Sequence, residues 1–335
     1  LTRGAVVRWL VGLAVSGVFL WLAFRSIDLH EVGREIAGAD QAFLLPAVTM
    51  TTLSYVLRGI RWRLCFAASD PVDYAQASAG YSVGAAGAQV LPSARLGDLV
   101  RVYVLGQVSP VSKGKALGTL LIERLADMIA VVIMLTVLLP MFSLPSWIKV
   151  FDGFGAVLAI VVLVVVFLLA QRGQTLPEPV WIARRPPLHV LFGLVLQVLD
   201  GFSAVKDPRR GLLIMLVSLA VWVAQTGTYA ISFSAVHIPL GWKEGALTTM
   251  VLALTAIIPS GPGFAGTFEL VTQTLLGLFN TDATLATAYQ EYTRIVTLLS
   301  VVVYLALAWL ALKLWTSARS QREPGAEPLS TKIAS

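Results

Sequence analysis

The sequence predicts an all-α, polytopic transmembrane helical bundle, and three observations lead there. Of 335 residues, 57% are hydrophobic and only 13% charged, and the mean hydropathy of +0.78 is too high for a soluble domain of this size. Several apolar runs reach the roughly 20 residues that a helix needs to cross a hydrocarbon core of about 30 Å. Those runs are continuous, whereas a lipid-facing β-barrel would alternate apolar and polar residues. The arrangement expected is about six full spans and two opposed re-entrant hairpins. Together they form one domain over residues 1–316, with residues 317–335 as a disordered cytoplasmic tail.

Arg3 and Arg8 precede an apolar run from Trp9 to Phe24, read as a retained first helix because it is long and no A-x-A-like cleavage site follows. Residues 26–40, with Asp28, Glu31, Glu35 and Asp40, read as a polar external loop. The second span runs from Ala42 to Ile60, and Arg58, Arg61 and Arg63 read as anchors that put its end in the cytoplasm.

Between Tyr74 and Lys115, Gly80, Gly84, Gly87 and Pro92 interrupt a moderately apolar segment. A full crossing here would leave Arg95, Arg101, Lys113 and Lys115 outside, against the positive-inside tendency, so a hairpin that enters from the cytoplasm and returns is predicted. Leu117–Leu139 then crosses outward and Phe154–Ala170 crosses back. Leu188–Val205 carries a polar stripe of His189, Gly193, Gln197, Asp200 and Ser203 between basic flanks and reads as an interfacial cytoplasmic helix rather than a span. Leu212–Val236 crosses outward, and Gly245–Asn280 contains a second broken stretch that re-enters from outside. Thr281 or Asp282 can cap a last helix that crosses inward to about Trp315.

This topology puts Arg25, Arg34, Lys149 and Lys243 outside and Arg124 and Arg294 at membrane depth; the remainder of the 25 lysines and arginines are cytoplasmic. That bias orients both termini inward and accounts for the net charge of +6 without a nucleic-acid partner. Cys65 is the sole cysteine and His30, His189 and His237 are far apart, which excludes an intrachain disulfide and argues against a Cys/His metal site. No cofactor is expected, and no nucleotide-binding loop is present to drive export by ATP.

The two broken stretches are the expected functional centre. In the first, Pro92 and Gly97 free backbone groups beside Ser93, Arg95, Asp98 and Arg101; the second holds Pro259, Ser260, Gly263, Gly266 and Glu269. Irregular backbone survives in a bilayer only where protein buries it or water reaches it. Pro92 stands 31 positions before Glu123 and Pro259 stands 32 before Glu291, which outlines repeats over 42–140 and 211–315 facing opposite ways. Opposed repeats with broken helices are an architecture for alternating access.

Glu123, Arg124 and Asp127 fall inside the span Leu117–Leu139, with Asp127 roughly 15 Å along it and Arg124 spaced to reach Asp127. Glu291 and Arg294 repeat the arrangement in the last helix. Each such charge costs about 2.5 to 3.5 kcal/mol at the midplane unless paired or hydrated. Mutual pairing into structural staples therefore competes with a ligand-binding role, and Arg101 reads equally as a cytoplasmic anchor. A guanidinium grips phosphate in bidentate fashion, which makes Arg95 and Arg101 candidate headgroup ligands. Tyr55, Tyr81 and Trp222 read as packing aromatics.

The pattern Pro92-x-x-Arg95-x-Gly97-Asp98-x-x-Arg101, then Glu123-Arg124-x-x-Asp127, then Pro262-Gly263-x-x-Gly266-x-x-Glu269, resembles the transmembrane region of lysylphosphatidylglycerol synthases and the stand-alone flippase-like proteins related to it. The resemblance covers Trp9 to Trp315. It implies movement of a lipid between leaflets of a bacterial inner membrane: a phospholipid, aminoacyl-lipid, glycolipid or hopanoid-type lipid. Membrane lipids, and enzymes of lipid biosynthesis, are the partners it implies. Asp98 stands where the family often has glutamate, and Phe264-Ala265 replaces a usual Gly-Leu. No segment resembles the soluble domain that makes the aminoacylated lipid. Two other readings compete: an intramembrane lipid-modifying enzyme using Glu123, Asp127 or Glu269 as acid or base, and a non-catalytic scaffold.

Overall fold

A computed structural model of the chain describes residues 29–91, 94–142, 186–256, 258 and 262–322, and every regular element among them is helical. The expected spans Trp9–Phe24 and Phe154–Ala170 lie outside the described residues, as does the tail beyond Arg322.

The segment expected as a loop contains helix α1 (Leu29–Ala37), because Leu29, Val32 and Ile36 recur at helical spacing and Val32 is buried. Asp40 ends this entry: its backbone N–H donates to the Ala235 carbonyl at 2.8 Å, and its carboxylate accepts from Ala42 N–H at 2.9 Å. Helix α2 (Leu44–Leu64) follows and packs most extensively on a later helix, α7 (Pro208–Ala235).

The first interrupted segment is a helical hairpin, α3 (Tyr74–Val90) and α4 (Ala94–Val108), with α3 ending at Leu91 in extended backbone. Its base is tied by Gln76, whose amide donates to the Val108 carbonyl at 2.5 Å, and by the Ser109 hydroxyl, which donates to Pro71 at 2.9 Å. Its two arms touch at Gly84 and Gly97. A Cβ at Gly84 would lie 2.8 Å from the Gly97 carbonyl oxygen, and one at Gly97 would overlap the Gly84 carbonyl. Only glycine allows backbones this close.

Helix α5 (Lys113–Leu138) starts at Ser112, whose hydroxyl accepts from Lys115 N–H. Helix α6 (Pro186–Asp200) has 15 residues, about 22 Å of rise and short of a bilayer core. Part of its polar stripe faces α5: Gln197 packs on Gly114, and Asp200 pairs with Lys115 at 3.0 Å.

The second broken stretch comprises α8 (Trp242–Thr255), a short turn Pro262–Phe264 and α9 (Thr267–Gly277). Gly263, Phe264 and Gly266 all have positive φ (58°, 58° and 84°), so the phenylalanine sits in a conformation that usually falls to glycine. Its ring stacks on Phe268, with centroids 4.6 Å apart. Helix α10 (Ala283–Arg322) is capped by Asp282, which accepts from Thr284 N–H at 2.8 Å. It continues past Trp315 into residues expected to be tail. Helices long and apolar enough to span a bilayer are found over Gln41–Leu64, Pro208–Ala235 and Ala283–Ala318. Helix α5 has the length but carries five charged residues.

Candidate functional site

Helices α2, α4, α5 and α7 converge on an ionic chain buried among them. Arg61 of α2 is fully buried; it donates to both oxygens of Asp127 at 2.5 and 3.1 Å and to Glu123 Oε1 at 2.7 Å. A further N–H reaches the Ser218 hydroxyl at 3.1 Å. The indole of Trp222 donates to Asp127 Oδ1 at 3.1 Å. From Glu123 the chain passes to Arg101 (2.7 Å), from Arg101 to Asp98 (3.0 Å) and from Asp98 to Arg124. Three arginines thus balance three carboxylates. The Arg101 guanidinium lies between Trp62 and Tyr81, 5.0 Å from each ring centroid, so it is both ion-paired and sandwiched between aromatic faces.

Two sequence-based expectations are corrected here. Arg61 is no cytoplasmic anchor but the cation at the centre of the network. Arg124 pairs with Asp98 rather than Asp127, and its side chain is 52% exposed. Arg61 and Trp222 occupy the inner side of Asp127, while Arg124 leaves α5 on an outer face. The signal was in the sequence: Glu123 and Asp127 with Arg124 alone are one cation short, and Arg58 and Arg61 lie inside the 21-residue helix α2.

A second cluster joins α9 to α10. Glu269 is fully buried and accepts from Arg294, and Glu291 Oε2 lies 3.6 Å from Arg294 Nε. The two helices are zipped alongside by Thr272 donating to Gln290 (2.9 Å) and Gln273 donating to Thr287 (2.7 Å).

Between the clusters is a cavity of about 610 Å³, with both broken stretches in its wall. Gln89, Asp98 and Arg101 come from the first, Gly263, Phe264 and Phe268 from the second. The two also approach each other at this point: a Cβ on Gly263 would sit 3.3 Å from Gln89 Oε1. Arg58, Arg124 and Arg294 line the cavity too, against only Asp98 and Asp127 as lining acids. Three of these arginines have buried N–H groups with no hydrogen-bond acceptor among the described residues: Arg58 Nε, Arg101 Nε and Nη1, and Arg294 Nε. Arg58 has no carboxylate partner among the described residues and lies over the Trp222 ring at 5.2 Å. Tyr55, Tyr81 and Trp222, read as packing aromatics, are also lining residues. Met128 and Leu254 line the cavity and are exposed, which makes part of its wall apolar.

Asp98, Arg101, Glu123, Arg124 and Asp127 therefore gather in one network, Gly97 packs against Gly84 beside it, and Gly263 and Arg294 face the same cavity. Gly266 is buried at the start of α9 and belongs to the turn rather than the cavity wall. Pro92, Ser93 and Ser260 lie outside the described residues; Arg95 stands in the first turn of α4, and its side chain lies outside them as well. Among the described residues no group of three or more His, Cys, Asp or Glu side chains is placed to hold a metal ion.

Fold and site together define a helical membrane protein built around a buried, arginine-rich cavity. The model of the family described as "Lysylphosphatidylglycerol synthase TM region" matches residues 9–308, and the chain belongs to that family. It is similar to a UPF0104 membrane protein of Methanocaldococcus jannaschii, with 26% identity over 222 residues, which is 65% of this chain and 90% of the relative.

Proposed function

We propose that the protein translocates a lipid between leaflets of the bacterial inner membrane, holding the anionic part of the headgroup in the cavity while the acyl chains stay in the bilayer. One observation carries this reading: two cavity-lining arginines, Arg58 and Arg101, have buried N–H donors without acceptors among the described residues. An unsatisfied buried donor costs about 1 to 3 kcal/mol, more when charged, and a phosphate oxygen would satisfy several at once. Exposed Met128 and Leu254 in the cavity wall offer the acyl chains apolar contact beside the headgroup. The proposed frame is that of about six spans and two opposed re-entrant hairpins, α3–α4 and α8–α9, with termini in the cytoplasm. As the halves rock, the two stretches part and rejoin where Gln89 meets Gly263.

The chain acts as a transporter and not as an enzyme. Glu123 and Asp127 are engaged by Arg61, Arg101 and Trp222, so their oxygens are taken up by ion pairs and a hydrogen bond rather than offered to a substrate. Purified protein in liposomes of mixed headgroup composition tests the reading. Headgroup redistribution with no new lipid species by mass spectrometry is expected. A new lipid species would mean that the carboxylates do chemistry, and neither outcome would favour a scaffold.

A further inference from the structure

The ionic chain of the first half is neutral, but the corresponding cluster of the second is not. Glu269 and Glu291 share one guanidinium, that of Arg294. Glu269 is fully buried and its Oε2 has no hydrogen-bond donor among the described residues. Both carboxyl groups meet that one guanidinium: Glu269 Oε1 pairs with it, and Glu291 Oε2 lies 3.6 Å from its Nε. With both carboxylates ionised, two negative charges converge on one positive charge, and a proton on either carboxyl restores balance. An excess negative charge in such surroundings is costly, and protonation is the usual way a paired carboxyl site removes it.

Among the described residues, no cation other than Arg294 forms an ion pair with either carboxylate. The charges acting on Glu291 are Arg294 on its own helix and Glu269 on α9. Helices α2, α3 and α7 bring Arg58, Tyr55, Tyr81 and Tyr229 to the cavity wall. Asp40, before α2, acts on Tyr292. Of the four wall residues Arg58 is the cation, and it lines the cavity.

We propose that Glu269 and Glu291 form a proton-binding site around Arg294, and that this proton is taken up and released together with the anionic headgroup. The coupling follows from charge. With both carboxylates ionised, Arg294 is over-neutralised and repels an anion from its side of the cavity. With one proton on the pair, Arg294 is balanced by a single carboxylate and its field no longer opposes the phosphate. By linkage the bound anion raises the affinity for the proton by the same factor. A proton gradient across the membrane would then bias the direction of lipid movement. The identity of the anion rests on the lipid reading above; the proton site does not.

The test has two parts, performed on the full chain in detergent. Infrared spectroscopy of ligand-free protein across a pH series reads the site directly: wild type should show a protonated-carboxyl C=O stretch that titrates, and Glu291→Gln should lack it. Glu291 is partly exposed, so this variant disturbs packing less than Glu269→Gln, which serves as the second check. Persistence of the band in both variants would overturn the proton site. Calorimetric titration with short-chain phosphatidylglycerol, in buffers of different ionisation enthalpy, reads the coupling. Wild type should take up as much as about one proton per lipid and bind about tenfold more weakly in mildly alkaline than in mildly acidic buffer. Glu291→Gln should bind at the acid-form affinity at every pH. Binding by wild type without proton uptake or pH dependence would overturn the coupling. Equal binding of inorganic phosphate would make the ligand a free anion, and binding of phosphatidylcholine with the same pH dependence would assign the recognition to phosphate rather than net charge. If none of these ligands binds at any pH, the lipid reading and the coupling both fall, and the infrared band alone decides the proton site.

Discussion

Removing the Arg61 side chain should be the most damaging single change among the buried charges, and its size can be worked from the contacts. Arg61→Ala deletes two hydrogen bonds to Asp127, one to Glu123 and one to Ser218. Asp127 keeps only the Trp222 indole, and Glu123 keeps Arg101. Breaking a buried pair by deleting one partner costs about 3 to 5 kcal/mol, against a total stability of roughly 5 to 15 kcal/mol. The comparison variant is Arg124→Ala. Its side chain is half-exposed and loses only Asp98, so the loss should be under about 1 kcal/mol. Membrane level on expression and the midpoint of unfolding in mixed detergent measure both. The double variant Arg61→Met, Asp127→Leu should recover part of the loss, since replacing both partners with apolar groups leaves no orphaned charge at that contact. Equal levels and midpoints for Arg61→Ala and Arg124→Ala would refute the central place given to Arg61.

Gly97→Ala should destabilise the first hairpin by about 1 to 3 kcal/mol, because its Cβ meets the Gly84 carbonyl; the unfolding midpoint checks this. Cysteines at Gln89 and Phe264 in a Cys65→Ser background, joined by a short bis-reactive reagent, should cross-link across the cavity and stop lipid translocation. Efficient cross-linking with transport intact would mean that the two stretches do not move apart. A single cysteine at Lys113 should label from the cytoplasmic side and one at Lys243 from outside; reversal of either breaks the topology.

Much of this architecture was legible because its determinants are local. Apolar run length located α2, α7 and α10, and of the two cap candidates Thr281 and Asp282 it is Asp282 that starts α10. Clustered glycines with a proline marked the α3–α4 hairpin, whose arms do close on Gly84 and Gly97. Two boundaries were missed for local reasons too. Helix α1 hides in a charged segment because three apolar residues suffice to seat one face, and α10 runs on to Arg322 with no glycine or proline to end it. The site was legible only in part. Glu123, Asp127, Asp98 and Arg101 stand out as charges in apolar or broken stretches, but which arginine meets which acid depends on how α2 crosses α5, and no spacing within one helix reports that. Arg61 looked terminal because Arg58 and Arg63 flank it, although only Arg61 is fully buried. The role of Tyr81 and Trp222 as partners of buried charges follows from the same crossings.

The central claim is that the arginine-lined cavity carries a headgroup across the membrane, and Arg58 tests it most directly. It lines the cavity without a carboxylate partner among the described residues, so its removal leaves no orphaned acid there. The decisive measurement is the rate of transbilayer movement of headgroup-labelled phosphatidylglycerol in proteoliposomes, read by loss of fluorescence to an impermeant quencher. Wild type should move the label well above protein-free liposomes, and Arg58→Ala, reconstituted at the same level with an unchanged unfolding midpoint, should fall to the protein-free rate. An unchanged rate in Arg58→Ala would contradict the account.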